Sequence, residues 1–191
     1  MVKIGIAGIG GIGSNVARYL VQAGVPALKL VDFDRVEESN LDRQFYFLDQ
    51  VGRKKPRSLC ENLARICPRT RLEPVDTRIG PGNASALFSD CAVVVEGLDG
   101  KSDKKMLVEA LAGTGIVMVG ASGIAGPDMD RVETRALGHC LLVGDFTSDQ
   151  AEHDLYPPKI GLITALMAGL VLENAVLAGR DSRNNSEGRP L

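Results

Sequence analysis

A chain of 191 residues is long enough to bury a substantial core and short enough to form one domain. With 45% hydrophobic and 24% charged residues, a net charge of −2 and no basic block, it lacks the clustered Lys and Arg of a nucleic-acid surface. The longest uncharged stretch, 160–172, ends at Glu173 and is too short to cross a bilayer, so no membrane is expected and the chain reads as cytoplasmic.

A short β-branched run over 2–8 ends in glycines and reads as a buried strand. Ser14 is placed to cap a helix that runs to Gly24, with Val16, Ala17, Leu20 and Val21 at helical spacing. A second strand follows over 28–34. Pro56 suits the first turn of a helix in which Leu59, Leu63 and Ile66 point inward and which Pro68 stops. Residues 71–79 read as a strand weakened by Pro74, with a short helix near 83–89. The clearest buried strand is 92–99. A capped helix over 102–115 and a strand over 116–123 come next. Alternation over 131–144 predicts an antiparallel hairpin, and 157–179 a long apolar helix. One domain is expected over 1–179, followed by a polar tail, 180–191, that is expected to fray.

Repeated strand–helix units predict an α/β fold. It should be Rossmann-like and doubly wound, with a mostly parallel sheet, helices on both faces and an antiparallel extension in the C-terminal half. Ligands of such sheets bind at the carboxyl ends of the strands, where Asp32, Asp34 and Asp99 fall.

The run GIGGIG, Gly8 to Gly13, lies between a strand and a helix. Gly8 allows the tight turn, Gly10 lets a phosphate approach the backbone, and Gly13 lets helix and strand pack. Gly11 completes the turn, and the helix end behind it favours an anion. The pattern points to a nucleotide without saying which. Asp32 and Asp34, two apart on a strand, share a face and can both reach a ribose, although Asp34 reads equally well as a turn residue. Arg43 and Lys55 then add more positive charge than one dinucleotide pyrophosphate needs, which suits a triphosphate and attack on it. A carboxylate nucleophile is already ionised at pH 7, so positioning and charge neutralisation suffice. His139 and His153 lack metal-ligand spacing. Cys60, Cys67, Cys91 and Cys140 form no C-x-x-C pair, so no zinc site is expected. Cys60 and Cys67, seven apart, read as small core residues on one helix face.

The segments GIAGIGGIGSN, VDFDRVEESNLDRQ, VGRKK and VVEGLDGKSDKKML stand in the order and spacing of the ThiF/MoeB/HesA family, relatives of the ubiquitin-activating enzymes. The chain resembles that family from Lys3 to about Gly179. Residues 120–146 and the short length are similar to its compact ThiF branch, associated with thiamine synthesis. The resemblance implies adenylation of the C-terminal glycine of a small ubiquitin-like sulfur carrier ending in Gly-Gly, such as ThiS. It implies Mg2+ and ATP as cofactors, pyrophosphate as product, and a homodimer. By resemblance Asp32 holds the ribose, and Asn40, Arg43 and Gln44 bind phosphates, with Ser39 grouped beside them. Lys55 contacts phosphate near the reacting centre, and Asp99 is tied to magnesium and catalysis. Arg43, Lys55 and Asp99 are therefore the catalytic candidates.

The chain departs from the family in having Gly100 and Lys104 where an asparagine and an arginine are usual. Only Met1 and Val2 precede the first strand, where many members carry an arm whose arginine enters the neighbouring subunit's site. Cys140 is the one thiol placed near the expected carrier path, and it reads otherwise as core. Two rivals remain open: an NAD-dependent oxidoreductase resting on the same glycine turn and Asp32, and a non-catalytic member that docks a partner.

Overall fold

The computed structural model describes residues 2–187, with side chains as far as 178. The strands are β1 (Ile4–Ala7), β2 (Ala27–Asp32), β3 (Arg71–Asp76), β4 (Val93–Glu96), β5 (Val117–Ala121), β6 (Glu133–Leu137) and β7 (Cys140–Gly144). The helices are α1 (Gly11–Gln22), α2 (Lys55–Ala64), α3 (Ala84–Phe88), α4 (Lys101–Leu111) and α5 (Pro157–Glu187). One sheet holds all seven strands in the order β3-β2-β1-β4-β5-β7-β6, parallel throughout except for the antiparallel β6–β7 pair. The expected fold is therefore present. The strand order reverses between β1 and β4, and the crevice outside their carboxyl ends is where a doubly wound sheet opens to a ligand.

Burial explains the sequence pattern. β1, β2 and β4 are buried on both faces and read as continuous apolar runs. Helices α1, α2 and α5 cover one face, on Ile4, Ile6, Leu28, Leu30, Val93 and Val95. Helices α3 and α4 cover the other, on Ala7, Val31, Val94 and Met118. Pro74 is tolerated because β3 is an edge strand, where a missing N–H interrupts no second ladder.

Several local expectations are corrected. Helix α1 begins at Gly11, so Ser14 lies inside it and does not cap it. Its buried hydroxyl donates to the Gly10 carbonyl (2.6 Å) and accepts from the Phe45 N–H (3.0 Å), tying the loop after β2 to the helix. Helix α4 starts at Lys101 behind Gly100, and no side chain caps it. Helix α2 ends at Ala64, before Pro68, where the chain folds back so that the Ile66 and Cys67 N–H groups share the Leu63 carbonyl. Ile66 is consequently exposed, and Cys60 and Cys67 do not share a helix face, although both pack half-buried against the core.

The last helix also differs. It continues past Gly179 into the segment read as a polar tail, and residues 188–191 lie outside the described residues. Its stretch Pro157–Ala178 is long and apolar enough to cross a membrane by length and composition. The uncharged stretch 160–172 is shorter because Lys159 and Glu173 bound it, and the helix carries both within its apolar span. That lysine is fully buried, and Ile160, Ile163, Met167 and Val171 pack beside it into the core.

Candidate active site

The glycines of the turn answer to two different constraints. Gly8 has φ +81°, and a Cβ there would lie 2.7 Å from the Gly97 carbonyl oxygen. A Cβ on Gly13 would lie 2.0 Å from the Gly8 carbonyl oxygen. Backbone packing forbids a side chain at both. At Gly10 and Gly11 the nearest atoms would be Gln44 Nε2 at 3.7 Å and Arg43 Cγ at 3.8 Å, so packing would accept a side chain and only the open space above would be lost. No side chain caps α1 at Gly10. Its first-turn N–H groups, which have no acceptor inside the helix, are left for a ligand at the positive end of the dipole.

Asp32, the last residue of β2, braces this turn. Its carboxylate accepts from the Ile9 N–H (2.9 Å) and the Asp34 N–H (2.8 Å), leaving one lone pair on each oxygen. The Tyr46 hydroxyl donates to the Ile9 carbonyl (2.8 Å) from below. Burial, with the nearby Asp32 charge, drives the Tyr46 phenol far above its ordinary range, so it stays a donor at all working pH.

A cleft opens at the strand ends. Gly8, Gly10, Asp32, Asp34, Lys55 and Asp99 all line it. Lys55 is buried, with Nζ 3.5 Å from Asp34 Oδ2. Phe33, Thr77, Arg78, Ile79, Leu98 and Asp103 complete the walls, and the Arg78 guanidinium stacks over the Phe33 ring at 5.1 Å. None of those six is a site candidate in the sequence, where 71–79 reads as one strand; β3 stops at Asp76 and leaves Thr77 to Ile79 at its carboxyl end.

A second cleft shares Gly97, Leu98 and Asp99 with the first. Ser122 to Ile124 and Phe146 to Gln150, neighbouring segments joined by the Phe146 N–H to Ser122 carbonyl bond, line it with Lys101 and Lys104 of α4. Asp99, exposed, stands where the two clefts meet. Beneath it, buried Glu96 accepts from the Leu98 N–H (2.7 Å) and from Lys104 Nζ (2.8 and 3.1 Å). Burial pushes the Glu96 carboxyl up, and the charge and hydrogen bonds of Lys104 only partly offset that.

The remaining sequence candidates do not line the first cleft. Gly13 is locked in packing and Gly11 starts the helix beside Arg43. Asn40 is buried and accepts the Glu37 N–H (3.2 Å), and exposed Ser39 reaches the Glu37 carboxylate at 3.4 Å. Arg43 Nη1 donates to the Ser39 carbonyl and to Asp42 Oδ1, each at 2.7 Å. Gln44 lies under Gly10 with its Oε1 buried and without a hydrogen-bond partner. The expected convergence of two cations is thus half met, by Lys55 alone. Cys140 is buried on β7 in the core under α4 and lines neither cleft; burial raises its thiol pKa.

A doubly wound sheet with a glycine turn, an acidic end to its second strand and a cleft at the switch point defines a Rossmann-like α/β protein. The chain belongs to the ThiF family, whose model matches residues 1–186. Among curated relatives, it is 31% identical over 122 residues to the adenylyltransferase and sulfurtransferase UBA4 of Yarrowia lipolytica, covering 64% of this chain and 31% of the relative. It is 31% identical over 173 residues to the molybdopterin-synthase adenylyltransferase of Escherichia coli K12, covering 87% of this chain and 70% of the relative. The chain therefore spans about a third of the length of the UBA4 relative. The E. coli tRNA N6-threonylcarbamoyladenosine dehydratase TcdA, in complex with ATP, superposes with a TM-score of 0.84 at 20% identity, over 94% of this chain and 88% of that one.

Proposed function

We propose that the chain is an ATP-dependent adenylyltransferase acting on the C-terminal glycine of a small ubiquitin-like sulfur carrier of the ThiS type. The observation that carries this reading is the meeting of two clefts at Asp99. The first, with its glycine floor and helix end, suits a nucleotide, and the second leads an acceptor from the opposite side. A carboxylate in the second cleft would attack the α-phosphorus of ATP. One P–O bond forms, the bond to the β-phosphate bridging oxygen breaks, and pyrophosphate leaves with the electron pair.

The remaining roles follow from placement. Gly10 and the first turn of α1 take the phosphates, and Asp32 and Asp34 the ribose hydroxyls. Lys55 sits where charge grows in the transition state. Arg43 is proposed to swing in when nucleotide binds, because its exposed pair with Asp42 is cheap to break. Asn40, Ser39 and Gln44 form the ring of polar groups around that movement. Four carboxylates line the nucleotide cleft, Asp32, Asp34, Asp99 and Asp103, against Lys55 and Arg78. A triphosphate entering this field needs a divalent cation. Mg2+ is held through one or two carboxylates plus phosphate oxygens and water, so it needs no preassembled cage, and among the described residues there is none. Asp99 and Asp103 fit that demand, and the ion would supply charge neutralisation at the phosphates. A second copy of the chain as partner, and a cytoplasmic setting, complete the proposal.

The experiment is exchange of labelled pyrophosphate into ATP, which should require a Gly-Gly-ending carrier and stop when the carrier's last glycine is removed. ATP binding with no exchange for any carrier would make the chain a non-catalytic docking member. Tight NAD binding without ATP binding would make it an oxidoreductase.

A further inference from the structure

A buried charge pair that lines neither cleft stands behind the second one. Lys159, on the first turn of α5, is fully buried. Its Nζ donates to Asp145 Oδ2 and to the Ala125 carbonyl, both at 2.6 Å. The other carboxylate oxygen of Asp145 accepts the N–H groups of Thr147 and Ser148, each at 2.8 Å. The Ser148 hydroxyl in turn accepts the Ala125 N–H (3.1 Å), and the Phe146 N–H donates to the Ser122 carbonyl (3.2 Å). One ammonium group and one carboxylate thereby tie segment 122–125 to segment 145–148, and Ser122 to Ile124 and Phe146 to Ser148 of these adjoining segments line the second cleft.

Two backbone features show how tightly the crossing is drawn. Phe146 has φ 61°, the one non-glycine residue with positive φ among the described residues, a conformation that persists only where its surroundings impose it. A Cβ on Gly123 would lie 2.1 Å from Asp145 Oδ1. Stability alone does not call for the charges, since a buried ion pair is often no better than apolar residues of the same volume. A satisfied buried polar network does hold one arrangement of the groups around it. We infer that Lys159 and Asp145 are positioning residues for the acceptor, holding together the two segments that line its cleft. The inference rests on the reading of the second cleft as the acceptor's path.

The test is the neutral double variant D145N/K159M, which leaves no unpaired buried charge, read against wild type with ATP and a Gly-Gly-ending ubiquitin-like carrier. ATP affinity should stay within about twofold, since the nucleotide cleft shares none of these groups. The KM for carrier, or kcat at saturating carrier, should worsen by roughly 10- to 100-fold, the scale of a misplaced reacting group. Hydrogen exchange at 122–125 and 145–148 should quicken while 8–14 stays unchanged. A folded double variant with wild-type carrier kinetics and wild-type exchange at both segments overturns the inference. So does equal loss of ATP and carrier binding, which would mark the pair as merely structural. Absence of pyrophosphate exchange in wild type instead overturns the adenylation reading and, with it, the acceptor role.

Discussion

Gly10 and Gly13 stand three residues apart in one turn, and a methyl group would have opposite consequences at the two. At Gly13 it would meet a carbonyl oxygen at 2.0 Å, backbone against backbone with nothing flexible to yield. Gly13→Ala should cost upward of about 4 kcal/mol, among the severest single substitutions, and leave little folded protein by thermal melt or circular dichroism. Gly10→Ala meets nothing closer than 3.7 Å. It should change stability by less than about 1 kcal/mol while weakening ATP roughly tenfold or more, because the methyl fills the floor of the proposed phosphate site. Equal ATP affinity for Gly10→Ala and wild type in calorimetry would remove the phosphates from this turn. Lys55→Ala should slow pyrophosphate exchange by about 10²–10³-fold, or ~3–4 kcal/mol of barrier, with a smaller change in ATP affinity. A loss confined to ATP affinity would make Lys55 a ground-state contact only.

Among the elements, the five-residue helix α3 has one large side chain in the core, beside the small buried Ala84. Phe88 is fully buried and lies over Gly5 of β1, where a Cβ would sit 2.6 Å from its ring. So short a helix has almost no stability of its own and stays docked mainly through that ring, with Ala84 and the Lys29 bond to the Leu87 carbonyl beside it. Phe88→Ala should cost about 3–5 kcal/mol, seen as a lowered urea midpoint with an unchanged slope. A cost under about 1 kcal/mol would mean that α3 is held by something else. Helix α5 is the opposite case, long and apolar, with a buried charge pair beside the core contact of Ile160 at its first turn. Burial by itself would raise the Asp145 carboxyl, but the Lys159 hydrogen bond and the Ser148 and Thr147 N–H groups outweigh it and hold the group well below the usual carboxylate range. A depressed folded value means that the stabilisation is present above the unfolded value, near 4, and drains away as pH falls through and below it. The acid limb of melting temperature against pH should therefore be shallower in D145N/K159M than in wild type below about pH 4. Parallel acid limbs would show that Asp145 is not the group being titrated.

For the whole molecule, the electrostatics of the nucleotide cleft make the sharpest demand. Four carboxylates against two cations repel a bare triphosphate. Chelating Mg2+ should weaken ATP by roughly tenfold or more and leave adenosine, which carries no phosphate, nearly unaffected. Equal loss of both would point to metal-dependent folding, and no loss of either to a metal-free site.

The alternation of strands and helices, the glycine turn and Asp32 at a strand end were all legible in the linear order, because a parallel sheet buried on both faces writes itself as apolar runs and turn chemistry is local. Legible too was the reason for glycine at 8 and 13. Arg43 was not. Its charge and spacing suggested a phosphate contact, but its direction depends on the Ser39 carbonyl and Asp42 beside it, and the folded loop turns it out of the cleft. Arg78 and Asp103 escaped for a different reason: they reach the cleft from the loop after β3 and from α4, and only the strand order brings those two together. Lys159 looked like the end of an apolar run and is buried beneath a cleft, because a partner fourteen residues earlier satisfies its charge. Local sequence determines which elements form and what each glycine permits. The direction of a long polar side chain, and the partner of a buried charge, are decided by atoms distant in the chain, so only the tertiary structure could supply them.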